Sequence, residues 1–507
     1  MTEDASRRQV KVLIAGGGPV GLVLSILLSL NKVDHLLVET RAHPSTHPKA
    51  RGISARSMEI LRLIGLENQV RSAGLPAEQV AMYRGTSLVD PQFTRTSVSS
   101  AIPGQEVTPS PGVLCPQNVL EAILIDQARR LAGNRIRFGH QLMSSQHHPD
   151  SIRSLVKDID NERISEIESQ YLVGCDGARS MVRQLCGIAM DGQTGLRYYL
   201  SVRFRAPLGA VVADRASASY FMTPPGRGGF MAIDNDTDWI YQYPFDPEAE
   251  DPENYDEQRW IPLIRAAAGI EDLDVTVVDT MAWRMDACVA TSYRCGRVLL
   301  AGDAAHLIPP TGGHGMNLGI GDADNLAVKL AAVLTGLASD ALLESYETER
   351  RPIAMQVRDI ATTNAHSRGN YRIDDELLLT ANYASSTLDT TGYTPHAQPG
   401  CRLPHWWLTG PDGRQSTLDL IGSTYPRFTL LYGPAAARQW QDQATEASIA
   451  TAVLAPPHWA EFASMCGLTD TTGLLVRPDQ HIAWRADTPP PAGTLQRILR
   501  ALLAGNL

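Results

Sequence analysis

The residues best suited to chemistry fall in three glycine-rich runs far apart in the chain. The first is Gly16-Gly17-Gly18-Pro19-Val20-Gly21, which fits a GxGxxG spacing through Gly16, Gly18 and Gly21. In such a spacing the first glycine makes a tight turn, the second lets a pyrophosphate approach the backbone, and the third allows a helix to pack closely on a strand. Pro19 opens the helix whose amides would meet the phosphate charge. Glu39, followed by Thr40, closes the next apolar strand about 20 residues on, where a carboxylate reaches ribose hydroxyls.

In the second run, Tyr171-Leu172-Val173-Gly174-Cys175-Asp176-Gly177, an apolar strand ends in an Asp176-Gly177 turn, and Arg179, Ser180 and Arg183 offer donors to phosphate. Taken alone it reads better as an ordinary turn and helix cap. The third run is Gly302-Asp303-Ala304-Ala305-His306, then Pro309-Pro310, then Gly312-Gly313-His314-Gly315-Met316-Asn317. Asp303 stands at a strand end, where its carboxylate can accept from sugar or ribityl hydroxyls. Ala304, Gly312, Gly313 and Gly315 are small enough for a planar ring to lie against backbone, and amides near Met316 and Asn317 can stabilise negative charge on that ring.

These runs need elements to hold them. Val10–Ala15 reads as a buried strand, Pro19–Asn31 as a helix with Leu22, Ile26 and Leu30 on one face, and Leu36–Val38 as a second strand. Ser54–Ile64 and Pro116–Leu131 are helical in pattern, and Arg297–Leu300 is a strand followed by a long helix carrying Ala323, Leu326, Ala327 and Leu330 in register. Between Leu196 and Met285 short alternating runs separated by turn clusters predict an antiparallel sheet. The expected fold is α/β. A Rossmann-like dinucleotide domain (residues 1–185 and 286–373) is interrupted by a substrate sheet (186–285), then followed by a polar linker (374–399) and a small α/β domain (400–507).

Composition narrows the function classes. The 507 residues carry 45 Lys+Arg against 55 Asp+Glu, a net charge of -10, which argues against nucleic acid or an anionic membrane as partner. The longest strongly apolar stretch, Gly21–Leu30, is too short to span a bilayer, and the polar start Met1–Gln9 has no signal-peptide character, so a reducing cytoplasm is expected. Seven cysteines are scattered with no CxxC pair, so neither a disulfide framework nor a metal site is expected.

Together the three runs resemble the fingerprints of the class A FAD-dependent aromatic hydroxylases, the para-hydroxybenzoate hydroxylase fold family, from about Val10 to Arg351. On that resemblance Arg51 is similar to the family arginine near the cofactor phosphates and Gln117 to its cofactor-binding glutamine. His314 and Gly321 each replace a glutamine of the family pattern. The tail resembles the thioredoxin-like C-terminal domain of the phenol hydroxylase and polyketide hydroxylase subgroup, through Pro399–His405, Ser416–Gly422 and Leu474–Asp479. Lacking a CxxC, it points to packing or interaction rather than thiol exchange.

The resemblance implies FAD as resident cofactor, NADPH or NADH as a transiently docked donor, and O2 captured by reduced flavin as a hydroperoxide that oxygenates a phenolic or quinonoid, polycyclic, polyketide-like substrate. The partner would be a small aromatic molecule, and a homodimer is left open. Phe230, Trp239 and Tyr241 of the inserted sheet offer aromatic faces for such a ligand, or else are sheet core. His314 could take a phenolic proton, or be an ordinary loop histidine. His306 reads as structural, and Arg350-Arg351 as a surface or domain contact. Two alternatives stand beside hydroxylation: a Baeyer–Villiger oxygenase on the same fold, and a flavin-containing binding protein that sequesters a reactive intermediate.

Overall fold

Strand Arg8–Ala15 is flanked in parallel by His35–Glu39 on one side and Ile164–Gly174 on the other, and Val298–Leu300 continues the sheet in parallel beyond Ile164–Gly174. The register places Ala15 opposite both Val38 and Gly174, and Gly174 opposite Leu300. All three glycine-rich runs therefore leave the sheet at neighbouring carboxyl ends, the position at which open α/β sheets bind ligands. A computed structural model describes residues 8–75, 81–97, 106–367, 374–410, 413–422, 428–454 and 456–505. The polar start at residues 1–7 and the expected domain boundary at residue 373 lie outside them.

Helices Pro19–Leu30 and Gly315–Leu334 cover the nucleotide sheet, and the strand residues Val12, Leu13, Ile14, Leu36, Leu37, Leu172 and Val173 are buried to 2% exposure or less. Burial on both faces explains why these strands read as unbroken apolar runs rather than alternating ones.

The second sheet is eight-stranded and runs in the order His306–Leu307, Thr276–Ala290, Met190–Arg205, Asp238–Pro244, Gly229–Ala232, Ser219–Met222, Ala81–Gly85, Thr94–Ser97. It is wider than the expected 186–285 insert, because Ala81–Gly85 pairs in parallel with Ser219–Met222 and brings Thr94–Ser97 with it. Those two strands come from the segment assigned by pattern to the nucleotide domain; their sequences are too short to carry the periodicity that would announce a sheet edge. One face packs under helix Glu257–Ala268, with Phe204, Phe230, Trp239, Tyr241 and Trp260 in a common core. The other face looks toward the nucleotide sheet.

The tail forms a four-stranded sheet, Ala450–Val453, Thr429–Tyr432, Gly473–Val476, Ile482–Ala486, with helices Ala437–Glu446, Pro456–Cys466 and Thr494–Leu503. One parallel and two antiparallel pairings in a β-α-β-α-β-β-α order make it the expected thioredoxin-like α/β unit. It docks through buried charges. Arg402 donates to Glu59 (Nε to Oε2, 2.9 Å), Arg56 donates to Asp324 (3.0 Å) and to the Asp479 carbonyl (2.9 Å), and Arg477 pairs with Glu349 (2.7 Å). Breaking one member of such a network strands its partner without solvent, so the interface is specific even where its net contribution to stability is small.

The segment 374–399 is more than a linker. Leu377, Leu378 and Leu379 are buried, and Tyr383 accepts a hydrogen bond from Arg350 (3.0 Å). Arg350 itself is buried rather than superficial, donating to Asp322 and to the Leu318 carbonyl.

Candidate active site

A continuous cavity of about 1270 Å³ lies between the carboxyl ends of the nucleotide sheet and the inner face of the second sheet. Gly16, Gly18, Pro19, Glu39, Thr40, Arg51, Gln117, Asp176, Asp303, Pro310, Gly313, Gly315, Met316 and Asn317 all line it. Gly21 does not, and its role is packing: a Cβ there would lie 2.1 Å from the Gly16 carbonyl oxygen. Gly16 is equally constrained, at φ +112 with a Cβ position 2.2 Å from the Cys175 carbonyl oxygen.

Gly18 differs. Its added Cβ would meet nothing within 4 Å, and the same holds for Gly313. Protein contacts do not require glycine at Gly18, so the bare backbone there faces space that a ligand's phosphate can fill. Such a cradle fits FAD.

The polar groups fit it too. Glu39 accepts from the Gly17 amide (2.6 Å) and from Arg41 Nε (2.9 Å). Burial opposes its charge, but the Arg41 side chain and backbone and the Gly17 amide outweigh that and hold the carboxyl below its usual range. Asp303 projects into the cavity and burial pushes its pKa up. Gln117 accepts from the Ala50 amide (3.3 Å), fixing the loop that carries Arg51.

The Arg51 guanidinium reaches across to the second sheet, donating to the Ala218 (2.7 Å) and Ala232 (2.9 Å) carbonyls and to Ser219 Oγ (2.9 Å). All three acceptors are neutral, and burial lowers its pKa to about 10. The Asp176 carboxylate is occupied locally by Ser180 Oγ and the Val182 amide. Arg183, a phosphate donor by pattern, turns inward instead and donates to the Ala304 (3.0 Å) and Ala178 (2.9 Å) carbonyls. It braces the second run against the third.

Two residues that pattern reading passed over bear on the site, and the first organises the third run. Asp322 is fully buried in helix Gly315–Leu334, where it accepts from His306 Nε2 (2.8 Å), the Gly302 amide (3.1 Å) and Arg350 Nε (2.8 Å). It thereby sets the turn that presents Asp303, and His306 is structural as expected. The available signal was a carboxylate on an otherwise apolar helix face, which requires partners. Gly321, standing where the family pattern has glutamine, leaves room for Arg350: a Cβ would come within 2.8 Å of its guanidinium. Asn317 ties the loops together, accepting from the Ser54 amide (2.9 Å) and donating to the Gly52 carbonyl (2.9 Å) and the Gly313 carbonyl.

The second residue is Asp375, which lines the cavity beside Gly112 while its carbonyl accepts from the Ala55 amide (3.2 Å). Burial and the like charges of Asp374 and Glu376 push its carboxyl up to about 7. His314 lines the same cavity at 3% exposure, and burial lowers its pKa to about 4 against the opposing charge of Asp374. The ring is neutral at working pH and a poor base.

The aromatic expectation is corrected. Phe230, Trp239 and Tyr241 are 2% exposed or less and belong to the core beneath helix Glu257–Ala268. In a strand successive side chains alternate, so the face holding Trp239, Tyr241 and their partners Phe204 and Val202 turns away from the cavity. The cavity face carries Tyr199, Ser201, Gln242, Met281 and Trp283. Tyr199 and Trp283 stack at 4.7 Å and 18°, and Trp283 Nε1 donates to Ser201 Oγ (3.0 Å).

A family model described as FAD binding domain matches residues 9–361, and one described as aromatic-ring hydroxylase, C-terminal, matches 396–505. The chain belongs to the FAD-binding aromatic-ring hydroxylases. This hydroxylase is 35% identical over 558 residues to tetracenomycin A2 monooxygenase-dioxygenase of Streptomyces glaucescens, covering 98% of each chain. It is 35% identical over 541 residues to a Streptomyces halstedii protein named as a polyketide hydroxylase, covering 98% of this chain and 96% of that one. Among solved structures, an aklavinone-11 hydroxylase in complex with FAD and aklavinone superposes with a TM-score of 0.85 at 31% identity, over 99% of this chain and 100% of that one. The hydroxylase binds FAD. Among the described residues, no helix is long and apolar enough to cross a membrane.

Proposed function

We propose that this hydroxylase uses NADPH or NADH and O2 to hydroxylate a polycyclic, polyketide-like phenol or quinone. The observation that carries the reading is the continuity of one cavity from a glycine cradle to a sheet face bearing the Tyr199–Trp283 stack. Relatives named for tetracenomycin and for polyketide hydroxylation, each matched over nearly the whole chain, support that substrate class.

FAD, when bound and reduced, supplies the oxygen-activating chemistry. The protein's part is positioning, water exclusion and proton handling. Gly18 and Gly313 give backbone access, while Glu39, Arg51, Gln117 and Asp303 hold the cofactor's polar groups. Trp283 and Tyr199 present flat faces, and Met82, Met231, Met281 and Met285 form an apolar wall that can adapt to ring shape. Asp375 accepts the phenolic proton, since a carboxyl titrating at about 7 is matched to that task. Neutral His314 contributes a hydrogen bond rather than a charge.

The test is oxidation of NADPH or NADH by the FAD-loaded protein over a panel of polycyclic phenols and quinones under labelled dioxygen. The expected result is substrate-dependent oxidation with one labelled oxygen on a ring carbon. A ring-expanded lactone would establish Baeyer–Villiger insertion instead. Tight binding with no substrate-dependent oxidation for any panel member would mark a sequestering protein.

A further inference from the structure

Away from the cavity, three segments remote in sequence converge on a cluster of soft ligands. His147 ends strand His140–His147, Cys186 follows helix Met181–Leu185, and Cys295 ends the edge strand Arg294–Cys295. One ligand atom from each, the two Sγ atoms and an imidazole nitrogen, lies within 4.8 Å of the others. None of the three lines the cavity. Each cysteine is followed by a glycine of positive φ, Gly187 at 64 and Gly296 at 58, so the chain turns sharply after each sulfur and leaves it facing the shared centre. Among the described residues the His147 ring makes no hydrogen bond, and a Cβ on Gly296 would sit 4.0 Å from its Nδ1.

We propose that His147, Cys186 and Cys295 form a Cys2His site for a soft divalent cation of the zinc class. Zinc binds thiolate at about 2.3 Å and imidazole at about 2.0–2.1 Å, so ligand atoms around one ion lie about 3.5 Å apart, a modest closure from the present spacing. Exposed His147 leaves the fourth position open to water, and both sulfurs are half-buried. Zinc is held by thiolate rather than by thiol. Binding then breaks two S–H bonds, forms two metal–sulfur bonds and releases two protons to solvent, with no change of oxidation state. The ion would staple the segment after the Asp176 turn to the hairpin that leads through Val298–Leu300 into Asp303, joining the flanks of two cofactor loops. No CxxC announces the site, because its ligands meet only through the sheet.

The test uses the reduced, chelator-treated holoenzyme, titrated with Zn2+ against a competing chromogenic chelator and, separately, with Cd2+. We expect one tight equivalent of Zn2+, about two protons released, loss of two titratable thiols, and a thiolate-to-Cd2+ charge-transfer band. Cys186→Ser with Cys295→Ser abolishes all four signals. His147→Ala, at an exposed position that leaves the core intact, weakens Zn2+ by about tenfold or more and removes the Zn2+-dependent rise in Tm. Unchanged stoichiometry in the double variant, Cd2+ binding without a thiolate band, or wild-type Zn2+ affinity in His147→Ala would each overturn the proposal. So would a Cys186–Cys295 disulfide as the resting state of the purified protein.

Discussion

The two ends of the cavity are built on different principles. At the nucleotide end the protein offers backbone: Gly18 and Gly313 present peptide groups to open space, and Gly16 and Gly21 are glycine because neighbouring carbonyls leave no room for a Cβ. At the end against the second sheet it offers side chains, Tyr199, Trp283, Gln242 and a set of methionines on one face of a twisted sheet. Backbone recognition demands particular residues at particular spacings, whereas a side-chain wall demands only suitable shape and polarity. The same cavity is therefore rigidly specified at its glycine-lined end and open to variation at its sheet face.

The sharpest way to break that comparison is a pair of glycine substitutions. Gly16→Ala is expected to destabilise the fold by more than about 3 kcal/mol and abolish FAD retention, since a methyl group 2.2 Å from a carbonyl at φ +112 has nowhere to go. Gly18→Ala should leave the apoprotein's Tm within about 1 °C, a near-zero stability change, while cutting FAD affinity at least about tenfold, because its methyl group meets only cofactor space. Apoprotein melting and flavin content per chain read both; equal loss of Tm in the two variants would erase the distinction between packing glycine and ligand glycine.

The next largest effect separates the faces of the second sheet. Trp239→Ala should cost about 3–5 kcal/mol in chemical denaturation, as a fully buried core residue. Trp283→Ala should cost little stability but raise KM for the aromatic substrate about tenfold, through loss of a stacking face worth about 1.4 kcal/mol. A Trp239→Ala protein of normal stability and raised KM would reverse the assignment of faces.

The remaining effects concern protons. Asp375 is raised from 3.8 to about 7, so the folded state binds a proton there that the unfolded chain has already released between those values. Its contribution to stability is fully present below the unfolded pKa and is lost as pH rises through about 7. Asp375→Asn should flatten the fall in apoprotein Tm between pH 5 and 8 and remove the acidic limb of the kcat profile. His314 moves the other way, to about 4, and is neutral in both folded and unfolded chains above its ordinary value. His314→Gln is accordingly expected to reduce turnover by much less than the ~100-fold that loss of a general base brings, with no shift in the pH profile. A shifted profile in His314→Gln with an unchanged one in Asp375→Asn would exchange the two roles.

The pattern of the chain carried much of the fold. Buried strands read as apolar runs, the long helix as a repeating alanine and leucine face, and the tail as a separate α/β unit. Less legible were Ala81–Gly85 and Thr94–Ser97, which join the second sheet from outside the expected insert because strand pairing is non-local and their own sequences are too short to show periodicity. In the site, Arg183 turns to carbonyls rather than to the cavity, because donor chemistry is visible in a sequence but side-chain direction is not. Asp322 and Asp375 were overlooked because their roles arise from neighbours contributed by distant segments.

What the sequence determined by itself was the cofactor end. A glycine required by a turn, a helix–strand contact or a phosphate is required wherever the rest of the chain goes, so spacing alone identifies it. The tertiary structure decided which face of each strand lines the cavity, which acid has its pKa raised to about 7 by burial and neighbouring charge, and that His147, Cys186 and Cys295 meet at all. Facing, burial and convergence are relations between segments. In a two-residue strand period a single step reverses the outcome, as Phe230, Trp239 and Tyr241 show by lying on the face opposite the cavity.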